Sequence, residues 1–498
     1  MPSRRPNLVL ATILLGLGLE TTPAASQSLA RRLDARLDAP GLDRHIWGVA
    51  ITDVNGQLIY GRNADRMMIP ASNTKLVVSA VATAMLGPDF TVRTSIYGAG
   101  PVVEGELRGD LVLYGRGDPT FSKRCYDIDN TRAGVCDDDP VAKFRDLARQ
   151  LRERGIRRVS GDLVGDGSYF DGELVHPAWE TYDLNWWYAA PVSALGFNDN
   201  ALDVLIEAAD SGEVQPRITL GPDVGLATLT NRALIAPRGT ERTLDVIRSR
   251  DGSSYVASGN LPIGTDRRTE YAAVMDPDHY AALALRRELL AEGIVVLGAV
   301  RSTVDSTDFA VARATPPLAE VASRPLRDWV FPVLNTSQNW FAEMLVKQLG
   351  RRFGSGGSWS EGIKVERRFL IDSVAIDSTQ FALVDASGLA SNNLVSPLAF
   401  AKLLAWMRKH PTYEAFAAGM PQSGAAGSLR RRFIGTPLEG RVRAKTGSIS
   451  RVNTLSGYVE RADGEVLIFS IQANHHTLGS SRMIPAIDSV VVELARRP

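Results

Sequence analysis

The chain has 498 residues, too many for one ordinary hydrophobic core, so two or three domains are expected. Its 56 basic and 56 acidic side chains cancel, which removes the electrostatic reason to expect nucleic acid or another polyanion as partner. Only eight of the basic residues are lysine, against 48 arginine, so each lysine invites the question of what arginine could not do in its place.

The N-terminus, MPSRRPNLVLATILLGLGLETTPAASQS, carries two arginines, an apolar run from Leu8 to Leu19, and small residues around Ala24, Ala25 and Ser26. This is the layout of a secretory signal peptide over residues 1–25, and the run falls short of the about 20 residues that span a membrane. Export is expected, with the mature chain starting near Ser26; an uncleaved anchor is the competing reading. The C-terminal VVVELARRP is too short for a strong amphipathic anchor. The two cysteines, Cys125 and Cys136, lie close together in a polar stretch. In an oxidising compartment they would bridge, closing a small loop; two free thiols are the alternative.

After the signal, SLARRLDARLDA has helical spacing, and WGVAITDVNGQLIYGRNADR reads as two strands joined at a Val-Asn-Gly turn. IPASNTKLVVSAVATAML, Ile69 to Leu86, reads as a helix stopped by Gly87 and Pro88. From about Thr91 to Arg313 short strands with Gly/Asp turns prevail. Within that region FRDLARQLRERGIRRVSGDLVGDG and LALRRELLAEGIVVLGAVRSTV share one plan. Each is an amphipathic helix stopped by a glycine, Gly155 or Gly293, that suits the left-handed conformation after a helix, and each then enters a strand. Helices dominate from PLAEVASRPLRDW onward, and the chain closes with three strand-like runs and a last helix. Strands at both ends around helices predict one sheet built from the two termini, with the β-rich middle inserted into a discontinuous α/β domain.

In the first helix Ser72 and Lys75 are three residues apart, hence on one face and within reach of each other. A serine hydroxyl needs a base to take its proton, and a desolvated lysine can lose its charge and act as one; an arginine cannot. A lone Ser-x-x-Lys is weak, and a helix start capped by Ser72 or Asn73 explains it equally well. Two further motifs follow in order: Ser337-Gln338-Asn339, and Lys445-Thr446-Gly447 with strand-like flanks. Together they are the signature set of penicillin-recognising serine enzymes. The spacing of Ser337 and Asn339 suits a loop or helix entry, from which Ser337 can relay a proton to the departing amine and Asn339 can bind a substrate amide and brace Lys75. Lys445 and Thr446 on an edge strand can hold a terminal carboxylate, with Gly447 leaving room for a ligand. The backbone N–H groups of Ser72 and Ser448 are candidates for an oxyanion hole.

With these motifs in view, the chain resembles the penicillin-binding protein 4 type of D-alanyl-D-alanine carboxypeptidase/endopeptidase. The long gap from Lys75 to Ser337 and the segments LVLYGRGDPTF, DLNWWYAAPVSAL, VDASGLASNNLVSP and PQSGAAGSLRRRF carry the likeness. The resemblance implies a penicillin-binding (β-lactamase/transpeptidase-like) domain split between residues 27–92 and 319–498. The intervening 93–318 would be an α+β, strand-rich insertion, one inserted domain nested in another. It further implies a periplasmic enzyme without cofactor or metal that hydrolyses peptidoglycan stem peptides or cross-links through an acyl-enzyme on Ser72 and is inhibited by β-lactam antibiotics. Asp183 matches an acidic residue that helps bind the diamino side chain of the stem peptide. After Ser-Gly-Leu the family often carries an arginine where this chain has Ser391, which puts the side-chain preference in question. Whether the protein dimerises or touches a membrane peripherally is left open.

Three rivals remain. A β-lactamase would need its own deacylating base, such as a Glu followed four residues later by Asn, and no such segment is found. A non-catalytic cell-wall binding protein is disfavoured by the intact motifs. Metallopeptidase chemistry lacks a ligand set, since the six histidines form no His-Glu-x-x-His, and His475-His476 reads as a strand cap.

Overall fold

The computed structural model describes residues 24–122, 139–207 and 212–496. Most of the expected signal segment and both Cys125 and Cys136 lie outside the described residues.

A five-stranded antiparallel sheet is assembled from the two ends of the chain. Its order is Leu58–Arg62, Ile46–Thr52, Val466–Asn474, Val452–Glu460, Val442–Ile449. Alternation along the strands decides which layer each side chain joins. Trp47, Val49 and Ile51 pack with the N-terminal helix Ala24–Leu37 and the last helix Ser480–Glu493, while Ala50 faces the opposite, larger core. That larger core holds the helices Lys75–Leu86, Leu326–Asn335, Asn339–Phe353, Trp359–Asp372 and Pro397–Lys409. The sheet therefore lies between two helical layers, and Val442–Ile449 is an edge strand beside the start of Lys75–Leu86.

The two helix-strand units stand side by side. Helices Ala142–Glu153 and Pro277–Ala291 lead into Leu163–Asp166 and Val300–Thr303, which pair in parallel. Gly155 and Gly293 have φ of +85° and +75°, the left-handed conformation that only glycine adopts cheaply. These strands share a second five-stranded sheet with Leu111–Tyr114, Arg93–Gly98 and Ala319–Ala322. Strands between Ala201 and Ala273 form separate small sheets, interposed in sequence between Leu163–Asp166 and Val300–Thr303. Ala319–Ala322, just past the expected boundary at 318, pairs with Arg93–Gly98.

Candidate active site

Ser72 sits in a 3-10 turn, Ala71–Thr74, that runs directly into the helix Lys75–Leu86. In such a turn residues three apart eclipse, which stacks Lys75 under Ser72 more closely than a regular helix would. The turn is held from outside. Ala71 adopts φ +47°, a left-handed conformation that costs a non-glycine residue about 1 kcal/mol. Thr454 Oγ1 donates to the carbonyl of Pro70 at 2.9 Å, and Asn73 Nδ2 to Ser456 Oγ at 2.6 Å. Gly388, itself at φ +76°, lies so close that a Cβ there would collide with the Ala71 carbonyl.

Lys75 is fully buried and Ser72 half-buried. Lys75 Nζ donates to Ser72 Oγ at 3.0 Å, Asn339 Oδ1 at 2.7 Å and the Ser387 carbonyl at 2.6 Å. Three acceptors match the three donors of an ammonium group. Burial nevertheless pushes Lys75 down to about 7, against the opposing pull of the Glu343 and Asp385 carboxylates.

The second motif occupies a break between helices Leu326–Asn335 and Asn339–Phe353. Ser337 takes φ +67° there, a second strained residue at the site. Asn339 is the first residue of the following helix, where its amide spans two elements: Oδ1 accepts from Lys75 and Nδ2 donates to the Tyr188 carbonyl at 2.8 Å. From the edge strand, buried Lys445 donates to Ser337 Oγ at 2.9 Å and to the Thr446 carbonyl at 2.7 Å. Burial, and then the charge on Lys75, hold the Lys445 ammonium well below its ordinary value. Thr446 Oγ1 donates to Ser428 Oγ at 3.1 Å, and exposed Ser448 accepts from Asn453 Nδ2 at 3.0 Å. Gly447 has a different neighbour from the one expected. A Cβ there would strike Thr454 Oγ1 and stand 2.8 Å from the Pro70 carbonyl and 3.0 Å from the Ser72 nitrogen. The absent side chain lets the strand pack against the turn that carries Ser72.

All three motifs thus meet through two lysines. Asp183 does not join them directly. It opens the short turn Asp183–Asn185, and its Oδ1 accepts from Tyr188 Oη at 3.0 Å, so it reaches the site through Tyr188 and Asn339.

Sequence reading missed a set of buried acids beneath Lys75. Glu343 Oε1 accepts from the Ser387 N–H at 2.7 Å, and its Oε2 from the Ala386 N–H at 3.1 Å and Trp359 Nε1 at 2.8 Å. It thereby fixes the loop whose carbonyl receives Lys75. Asp385 accepts from Trp179 Nε1, the Gly388 and Ala390 N–H groups and Asn393 Nδ2, all at 2.8–3.0 Å. Burial, reinforced by Asp385, pushes Glu343 up to about 7. Burial, then Glu343 and Asp385, hold Glu366 well above the usual carboxylate range. The one available signal was Glu343 standing four residues after Asn339, hence on the same helix face.

A serine bonded to a desolvated lysine, with a Ser-x-Asn loop and a Lys-Thr-Gly edge strand closing over it, on a sheet between two helical layers, defines the class of penicillin-recognising enzymes. Sequence comparison narrows the class: the chain belongs to the D-Ala-D-Ala carboxypeptidase 3 (S13) family, which matches residues 29–495. It is a D-Ala-D-Ala carboxypeptidase of that family. It is 31% identical over 489 residues to a D-alanyl-D-alanine carboxypeptidase of Actinomadura sp. (strain R39), covering 96% of this chain and 86% of the relative. The D-alanyl-D-alanine carboxypeptidase DacB of Haemophilus influenzae is 25% identical over 433 residues, covering 85% of this chain and 84% of that one. Penicillin-binding protein 4 of the same organism has a solved structure that superposes with a TM-score of 0.78 at 23% identity, over 95% of this chain and 99% of that one. The likeness confirms the penicillin-binding fold.

Proposed function

We propose that the protein is a serine DD-peptidase that cleaves the bond after a penultimate D-alanine in peptidoglycan stem peptides or their cross-links, through an acyl-enzyme on Ser72. The observation that carries this reading is the 3.0 Å approach of Lys75 Nζ to Ser72 Oγ in a site dry enough to favour the neutral amine. Neutral Lys75 accepts the Ser72 proton as Oγ attacks the D-alanyl carbonyl. The backbone N–H of Ser72, near the edge strand, and that of Ser448 stabilise the oxyanion. The proton passes by way of Ser337 to the departing amine, either free D-alanine or the cross-linking residue. Lys445 and Thr446 hold the substrate's terminal carboxylate, and Asn339 keeps Lys75 in place while binding the substrate amide. Water then hydrolyses the ester with Lys75 again as base. β-Lactams enter the same first step and remain as stable esters.

We assign residues 27–92 and the segment after Ala322 to the catalytic domain, with the intervening insertion holding a smaller nested unit. The enzyme is placed in the periplasm, exported by a signal over residues 1–25. The fold of a penicillin-binding protein and the family membership support these assignments.

Labelling by a fluorescent penicillin tests the core of the reading. Wild-type protein should form a covalent adduct and Ser72→Ala should form none. An adduct that persists in Ser72→Ala, or a peptide map placing it on another residue, refutes Ser72 as the nucleophile. Purified cross-linked muropeptides then report released monomers or freed D-alanine.

A further inference from the structure

Beside the catalytic cleft a cavity of about 580 Å³ opens between the segment Tyr182–Trp187 and the strands Asp245–Arg248 and Arg268–Ala273. That volume falls within the about 300–1,000 Å³ typical of small-ligand sites. Four aromatic side chains line it: Tyr182, Trp186, Trp187 and Tyr271. Tyr182 is 66% exposed, so its ring is free to meet a ligand.

The charges on its walls balance. Arg242 and Arg268 both donate to Glu270 Oε1, the latter at 2.8 Å, and Asp245 adds a second carboxylate. Arg242 Nε is buried without a hydrogen-bond partner. An anion would meet two carboxylates here, and a cation two guanidinium groups. A purely apolar ligand would bury those groups without compensation. The occupant that fits is uncharged, has an apolar face for the rings, and carries hydroxyl or amide groups around its edge.

The cavity is fixed relative to Ser72. At one end Asn185 Nδ2 donates to the Val246 carbonyl at 2.9 Å, and Arg248 donates to Asn185 Oδ1 at 2.8 Å and the Leu184 carbonyl at 2.7 Å. At the other end the Tyr188 carbonyl receives Asn339 Nδ2. One short segment therefore ties the cavity to a residue that touches Lys75.

We propose that this cavity is a sugar subsite that takes an N-acetylhexosamine of the glycan strand to which the stem peptide is attached. A pyranose offers its C–H face to the indole and phenol rings. Its hydroxyl and acetamido groups reach Arg242, Arg268 and Glu270. The inference rests on the peptidoglycan reading above, and it gives the inserted strands a role: they hold the polymer while the peptide reaches Ser72.

The test compares kcat/KM for a free stem pentapeptide with that for the same peptide carrying the N-acetylglucosaminyl-N-acetylmuramyl disaccharide. Wild-type enzyme should prefer the disaccharide peptide about tenfold, and Tyr182→Ala and Arg268→Ala should each bring the ratio toward about one. No preference in the wild type, or a preference that survives both variants, overturns the proposal. A second measurement keeps it separate from the peptidase reading. Disaccharide peptide titrated into Ser72→Ala should change indole fluorescence, and free peptide at the same concentration should not. If wild type cleaves neither substrate, the peptidase reading fails, and the subsite stands or falls by this titration alone.

Discussion

Replacing Lys75 by methionine should alter how stability depends on pH, by an amount that follows from the burial of one amine. A lysine in the unfolded chain titrates near 10.5, whereas burial brings Lys75 down to about 7 in the folded protein. Between those values the unfolded chain holds a proton that the folded protein has released. Stability therefore rises with pH across that window, by up to about 1.4 kcal/mol per pH unit. From about pH 7 to pH 9 the gain is about 2 kcal/mol. Methionine has nothing to titrate, so Lys75→Met lacks this gain. Below pH 7 the variant escapes about 5 kcal/mol of charge desolvation. It also leaves Ser72 Oγ, Asn339 Oδ1 and the Ser387 carbonyl without their donor, at about 1 kcal/mol each. The variant should thus be more stable than wild type by about 2 kcal/mol near pH 6 and roughly equal to it near pH 9. Urea unfolding followed by tryptophan fluorescence measures both proteins at each pH. Lys347 and Lys445, which burial also disfavours as cations, remain in both and cancel in the difference, which reports Lys75 together with the Glu343 carboxyl coupled to it. Curves that run parallel from pH 6 to 9 would mean that Lys75 stays charged in the folded protein, and the proposed base would be lost.

The same titration should govern chemistry. Acylation of wild type by a fluorescent penicillin should rise about tenfold per pH unit below 7 and level off above it; a flat profile through pH 6 to 8 contradicts a lysine base with this midpoint. Glu343→Gln removes a charge that holds the Lys75 proton and an acceptor of three hydrogen bonds. The acylation midpoint should move below about 7 and stability should fall by about 2 kcal/mol, as thermal or urea unfolding would report. An unchanged midpoint would show that Glu343 acts on the loop alone. Gly447→Ala should displace the edge strand from Ser72 and cut penicillin acylation at least about tenfold while circular dichroism stays native. Full labelling of that variant would mean that the strand and the Ser72 turn need not touch.

The three motifs were legible because each is local: a handful of adjacent residues fixes both the chemistry and its placement at a helix start, a loop or a strand. The paired helix-strand units were legible for a similar reason, since Gly155 and Gly293 end their helices by backbone conformation alone. The sheet built from both termini could be predicted from strand patterns at the chain ends, although nothing local dictated that Ala319–Ala322 would pair back into the insertion. Gly447 was read as room for a ligand because its actual neighbour, the turn at Ser72, is more than 370 positions away in sequence. Of Glu343, Glu366 and Asp385, only Glu343 left a trace in the sequence, its spacing from Asn339. A carboxylate on a helix or loop is ordinarily a solvated charge, and only the packed helices reveal that these three are shut away from water.

That enclosure answers the question raised by the scarcity of lysine. Among the described residues, Lys75, Lys347 and Lys445 are fully buried. Each stands where burial disfavours the cation. Two of them flank Ser72 and Ser337, the hydroxyls through which the proposed proton must travel. An arginine in either place would keep its charge and could not take a proton from serine. Burial alone would make Lys75 neutral but leave it with no counterweight. The carboxylates of Glu343 and Asp385 pull its proton back and set the amine near neutrality, where it can accept a proton in one half of the reaction and return it in the other. On this view the helix Asn339–Phe353 serves the site twice, one turn apart. Asn339 holds the lysine in position, and Glu343 decides how readily it gives up its charge.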